Sequence, residues 1–221
     1  MDSLHWWRSA DAVTQTAALA LLLMSVSSWV VMLWKLRMLQ RAAGDVARSQ
    51  AAFWQTRSWD AAPVAVSAFD RDALVLPLLV AAMGARRDAQ TPAPDELDAP
   101  HASAVAHATR MLRGALLASV ARLQFGQILL ATVGATAPFV GLLGTVWGIY
   151  HALTALAGSG QISVERLAGP VGEALIMTAA GLAVAIPAVL GYNLLGRQVA
   201  RLEAELEGFA HDLRELCAAE G

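Results

Sequence analysis

Three stretches decide the architecture: APFVGLLGTVWGIY (Ala137–Tyr150), GSGQ (Gly158–Gln161) and GPVGEALIMTAAGLAVAIPAVLGYN (Gly169–Asn193). Two long apolar runs joined by a Gly-Ser-Gly turn read as a membrane hairpin. Glu173 sits at the edge of, or within, membrane-compatible sequence. Thr145 and Thr178 lie deeper. Ionisable groups are costly in such places, so they are functional candidates.

The rest of the composition agrees with a membrane chain. Of 221 residues, 57% are hydrophobic and 15% charged, against about 25% charged in an ordinary soluble domain. Mean hydropathy is +0.50. The net charge of −2 and the local matching of basic residues by acids leave no nucleic-acid footprint. A single cysteine, Cys217, excludes an intrachain disulfide and a cysteine-rich metal site. The histidines (His5, His101, His107, His151, His211) lack metal-ligand spacing. No GxSxG, HExxH or P-loop is present. The expectation is a protein that is not an enzyme and holds no metal or cofactor.

The spans follow from charge. Residues 12–34 are uncharged, and about 20 apolar residues cross a bilayer. Trp6, Trp7, Trp29 and Trp34 suit interfacial anchoring. Residues 35–122 carry 11 of the 16 basic residues, which places them in the cytoplasm and the short N-terminus, 1–11, in the periplasm. Within them, Ala73–Ala85 is apolar but too short to span, and it holds Pro77, so a buried or lipid-skimming helix is expected. Gln90–Pro100, rich in proline and acids, reads as a loop. Leu123–Val164 has no Asp, Glu, Lys or Arg. Two spans would fit there, but one keeps 14 of the 16 basic residues inside. The expected fold is therefore all-α. It has spans at 12–34, 123–155 (core Gln127–Leu153) and 170–196, a periplasmic loop at 156–169 and a cytoplasmic helix at 197–221. In that last helix Leu195, Val199, Leu202, Leu206, Phe209, Leu213 and Leu216 form an a/d seam. The seam would pack on the chain's own cytoplasmic helices or join an inter-subunit bundle.

If the hairpin is centred near Gln161–Ile162, equal offsets put Thr145 and Thr178 at one depth. Glu173 and Thr178 are five apart, about 140° around a helix. Gly134, Gly141 and Gly148 recur every seven residues, with Gly144 and Gly148 as a GxxxG pair. Ala174, Thr178, Gly181 and Ala185 form a matching stripe. Small faces let membrane helices approach closely, and so much small surface on three spans suggests assembly with copies of the same chain. The alternatives are plain: a membrane threonine can bond back to its own helix, and Glu173 can snorkel to headgroups.

The runs APFVGLLGTVWGIYHAL and GPVGEALIMTAAGLAVAIPAVLGYN closely resemble the matching spans of the ExbB/TolQ/MotA proton-channel family, most of all its ExbB branch, over about Thr132–Arg201. The resemblance implies a bacterial inner-membrane homopentamer around the helices of an ExbD-like single-span partner. Such a complex uses the proton-motive force to energise a TonB-like protein for outer-membrane nutrient import. It places the family's pore-lining polar residues at Thr145, Glu173 and Thr178, with the titrating aspartate on the partner. The TolQ branch of the Tol-Pal envelope system is the alternative within the family. A non-conducting scaffold for a partner helix is the alternative outside it.

Overall fold

The computed structural model describes residues 11–56, 58–90, 100–159 and 164–219, and these are helix and turn throughout. The helices are α1 (Ala12–Gln55), α2 (Ala62–Ser67), α3 (Leu76–Gln90), α4 (Pro100–Gln124), α5 (Gln127–Ser159) and α6 (Val164–Ala219). Three of them, α1, α5 and α6, are long and apolar enough to cross a membrane. The chain divides into two compact units.

The first unit holds the start of α1, all of α5 and α6 as far as Leu194. Its core is made of small residues: Ala17, Ala137, Ala185 and Ala188, with Leu21, Val133 and Met177. Large side chains point out instead, as Leu22, Ile128, Phe139 and Ile176 do. This inversion suits a lipid solvent, where close backbone approach rather than apolar burial holds helices together. The faces read as grounds for self-assembly are in fact spent inside one chain. A Cβ on Gly141 would stand 2.6 Å from the Met177 carbonyl oxygen, and one on Gly181 2.7 Å from that of Ala137. Gly134 lies against Val189, Gly144 against Met177 and Gly148 against Ala174. Ala185 is buried in the same core.

The helices run further than the sequence reading drew them. Span and following helix are continuous in α1 and in α6: no proline stands at either junction, and Gly196, just before Arg197, is carried within the helix. The loop expected over 156–169 is helical up to Ser159 and again from Val164, and residues 160–163 lie outside the described residues. Pro170 falls inside α6 rather than in its first turn, where it costs one ladder bond. The second span does not begin at 123. Phe125 and Gly126 form a turn, with Gly126 at φ +83° and Val31 packed against its α-carbon, so α5 starts at Gln127.

The second unit comprises Lys35–Phe125 and Leu195–Gly221. The apolar segment at 73–85 is a buried helix: Leu78, Leu79, Ala81, Ala82 and Ala85 are all enclosed. It starts at Leu76 because the Asp70 carboxylate accepts the backbone N–H groups of Leu74, Val75 and Leu76 at 2.8, 2.9 and 2.6 Å, meeting donors that a helix start leaves unpaired. The loop expected at Gln90–Pro100 falls, over 91–99, outside the described residues. In the C-terminal seam Leu195 to Leu213 are buried and Leu216 is half-buried. Phe209 meets Phe53 edge to face at 5.4 Å, and Gln50 donates to the Glu205 carbonyl. Of the two readings, the seam takes the one in which it packs on its own chain. Lys35, the first residue past the uncharged run, is wholly buried and donates to the Arg122 carbonyl at 3.4 Å. A cation there complements the carbonyl end of α4. Burial holds its ammonium below the usual lysine value, with the Asp72 charge opposing.

Candidate functional site

The site lies where α5 and α6 come closest. Gly141 and Gly181 remove the side chains that would separate the two backbones. One turn further along α5, Thr145 is 6% exposed. Its hydroxyl oxygen lies 3.0 Å from the Ala174 carbonyl, 3.1 Å from the Gly141 carbonyl and 2.5 Å from the Thr178 hydroxyl. The equal depth expected from the hairpin count is therefore found.

The proton count orders this cluster. Thr145 has one hydrogen to give, so it donates to one carbonyl at a time while Thr178 donates to Thr145. Ala174 is four residues before Thr178, and its carbonyl is the one a helical threonine ordinarily takes for itself. Here Thr145 reaches it from the facing helix. The back-bonding alternative holds in full for Thr132, Thr136 and Thr154 on α5, which bond to their own helix. It holds only in part for Thr145.

Glu173 is not part of the pair. It is exposed, next in sequence to the buried Ala174, and no hydrogen bond joins it to either threonine among the described residues. Two of the three expected polar residues thus meet in one chain, and the third faces out of it. Among the described residues no group of three or more metal-ligating side chains is found.

One contact escaped the sequence reading. The Trp147 indole N–H donates to the Asp11 carboxylate, tying the start of α1 to α5. That bond, helped by the Ala12 backbone N–H and opposed by partial desolvation, holds Asp11 below the usual carboxylate range. The available signal was an acid directly abutting an uncharged run, but nothing in the spacing links two residues 136 positions apart.

Comparison with known proteins accords with this geometry. Residues 93–208 match the MotA/TolQ/ExbB proton channel family. The biopolymer transport protein ExbB of Neisseria meningitidis is 39% identical over 207 residues, 94% of this chain and 93% of that one. ExbB of Xanthomonas campestris is 56% identical over 109 residues, 49% of this chain and 43% of that protein. The Tol-Pal system protein TolQ of Haemophilus influenzae is 31% identical over 209 residues, 95% of this chain and 90% of its own length. With three apolar helices of spanning length and a buried hydroxyl pair between the second and third, the chain belongs to the MotA/TolQ/ExbB proton channel family.

Proposed function

We propose that this chain is the non-enzymatic channel and stator subunit of an ExbB-type complex in the bacterial inner membrane. Its N-terminus is periplasmic and its C-terminus cytoplasmic. Several copies, five by resemblance, surround the helix of an ExbD-like partner and harness the proton-motive force to energise a TonB-like protein for nutrient import. The Thr145–Thr178 pair carries the reading. A carboxylate on the partner helix, in low dielectric, has a raised pKa and takes a proton from the outer side. The hydroxyls and Glu173 give that proton and the bared carboxylate polar neighbours on the way to the inner side. One proton moving through 100 mV supplies about 2.3 kcal/mol, comparable to the roughly 2.5–3.5 kcal/mol cost of a charge at the centre of a membrane helix, so transient deprotonation is sustainable.

The test is proton uptake by liposomes holding this chain with its single-span partner, under an imposed potential. Thr145→Val, which keeps shape and loses the hydroxyl, is expected to lower the flux at least tenfold with the oligomer intact. Unchanged flux would replace this reading by a scaffold that holds a partner helix and conducts nothing through its own polar groups. The full-length match to a TolQ protein supports a second reading within the family. Rescue of envelope integrity rather than siderophore uptake in the matching deletion strains would select it.

A further inference from the structure

The turn between α2 and α3, residues 68–73, carries an aromatic ring and a cation on its outer side. Asp70 is 7% exposed, and its carboxylate takes the backbone N–H groups of Leu74, Val75 and Leu76. With Asp70 turned inward, its two neighbours are left outside. Phe69 is 41% exposed and Arg71 is exposed. Among the described residues no hydrogen bond or ion pair holds the Arg71 guanidinium. A single exposed apolar side chain is ordinary. The place where this one stands is not.

Contacts within the second unit fix the level of the turn. Lys35, the first residue past the uncharged run of α1, donates to the Arg122 carbonyl. The Arg122 guanidinium donates in turn to the Asp72 and Ala73 carbonyls at 3.4 and 3.3 Å. Ser119 donates to the Leu74 carbonyl at 3.0 Å. Ser119 is only five residues, roughly 7.5 Å, before α4 ends at Gln124, and the spanning helix α5 begins at Gln127. The headgroup layer is itself about 5–7 Å deep on each side of the hydrocarbon core. From this level α3 runs away along α4, since Asp88 in its last turn meets His107 at 3.0 Å. Trp59, ahead of α2, stands against Arg86 at that same far end. The chain therefore descends through α2 and returns through α3, and residues 68–73 are the tip nearest the ends of the spans.

We propose that this tip rests on the membrane surface, with the Phe69 ring at the acyl boundary and Arg71 on a phospholipid phosphate. A guanidinium takes a phosphate through two parallel N–H bonds. An aromatic ring beside it buries apolar area in the interface, as the apolar face of an interfacial helix does. The occupant follows from continuity: α1 and α5 meet the bilayer at this same level. Charge agrees, because Arg37 and Arg41 are also exposed just past the uncharged run of α1, and basic groups there are drawn to anionic lipid.

Fluorescence quenching in vesicles tests this. In a Cys217→Ser background the full chain carries a nitrobenzoxadiazole label at Ala68→Cys or, as control, at Gln90→Cys, both exposed positions. The vesicles are phosphatidylcholine and phosphatidylglycerol, with some of the phosphatidylcholine bearing a nitroxide on its headgroup. Gln90 lies roughly 21 Å along α3 from Leu76. Quenching by the lipid nitroxide is expected to be at least threefold greater at position 68 than at position 90. It should fall by half or more when Arg71→Gln or Phe69→Ser is added to the Ala68→Cys chain. Quenching no greater at 68 than at 90 overturns the proposal, and so does equal quenching with and without Arg71→Gln. Aqueous iodide then tells what lies there instead: a label that iodide quenches faces water, and one shielded from both quenchers is covered by protein.

Discussion

Gly141 and Gly181 occupy positions where even one methyl group meets backbone. Side chains can rotate away from an added methyl, but a helix carbonyl cannot, and Met177 presents its carbonyl to Gly141 at 2.6 Å from where the methyl would sit. Gly141→Ala should therefore push α5 from α6, draw Thr145 off the Ala174 carbonyl and destabilise by about 1–3 kcal/mol. Gly172→Ala, with nothing within 4 Å, should be neutral or stabilising by up to about 1 kcal/mol through helix propensity. Thermal unfolding of both variants in detergent checks this, and equal midpoints for Gly141→Ala and the parent chain would refute the contact. The depth of Thr145 and Thr178 was legible in the sequence, since position along a hairpin follows from counting. The bonds of Thr145 to the Thr178 hydroxyl and to the Ala174 carbonyl were not, because they depend on how closely the two helices approach, which no spacing records.

For whole elements, periodicity shows which face is buried but not what buries it. The seam from Leu195 to Leu216 was evident, yet the same pattern serves an own-chain partner or a neighbouring copy. The contact of Phe53 with Phe209 decides it. The break between α4 and α5 was hidden in an uncharged run, where the only sign was Gly126 itself, a residue equally at home packing in a membrane. Nor could the sequence show that Lys35 is enclosed: positive charge after a span marks sidedness and ordinarily reaches water. Its burial has a pH signature. The folded ammonium loses its proton more easily than the unfolded one, so between the lowered value and 10.5 the unfolded chain holds more protons. Stability therefore rises with pH across that window. Chemical denaturation between pH 7.5 and 10 should show the rise, and Lys35→Met should flatten it. A rise of equal size in the variant would assign it to other groups.

At the scale of the molecule, the crossing number followed from where the charges lie, and the proposed sidedness is open to a direct measurement. In a Cys217→Ser background, cysteines at the exposed positions Val64 and Ala157 should label from opposite sides of sealed vesicles. Val64→Cys should react only with reagent on the cytoplasmic side, and Ala157→Cys only from the periplasmic side. Reaction of both from one side would require an even number of crossings between them and overturn the three-span order. The oligomer was less legible than it looked. The glycine and alanine faces that suggested it are consumed within one chain, and the large apolar side chains left outside would be accepted equally by acyl tails or by a sister subunit.

The hydroxyl pair has one further corollary. Two hydroxyl hydrogens serve a cluster of four oxygens, those of Thr145, Thr178 and the Gly141 and Ala174 carbonyls. Lone pairs outnumber the hydrogens there, and each carbonyl dipole turns its negative end inward. Under the proposed conducting role, oxygens so arranged favour a cation over chloride, so permeation past the cluster should discriminate by sign before it discriminates by size.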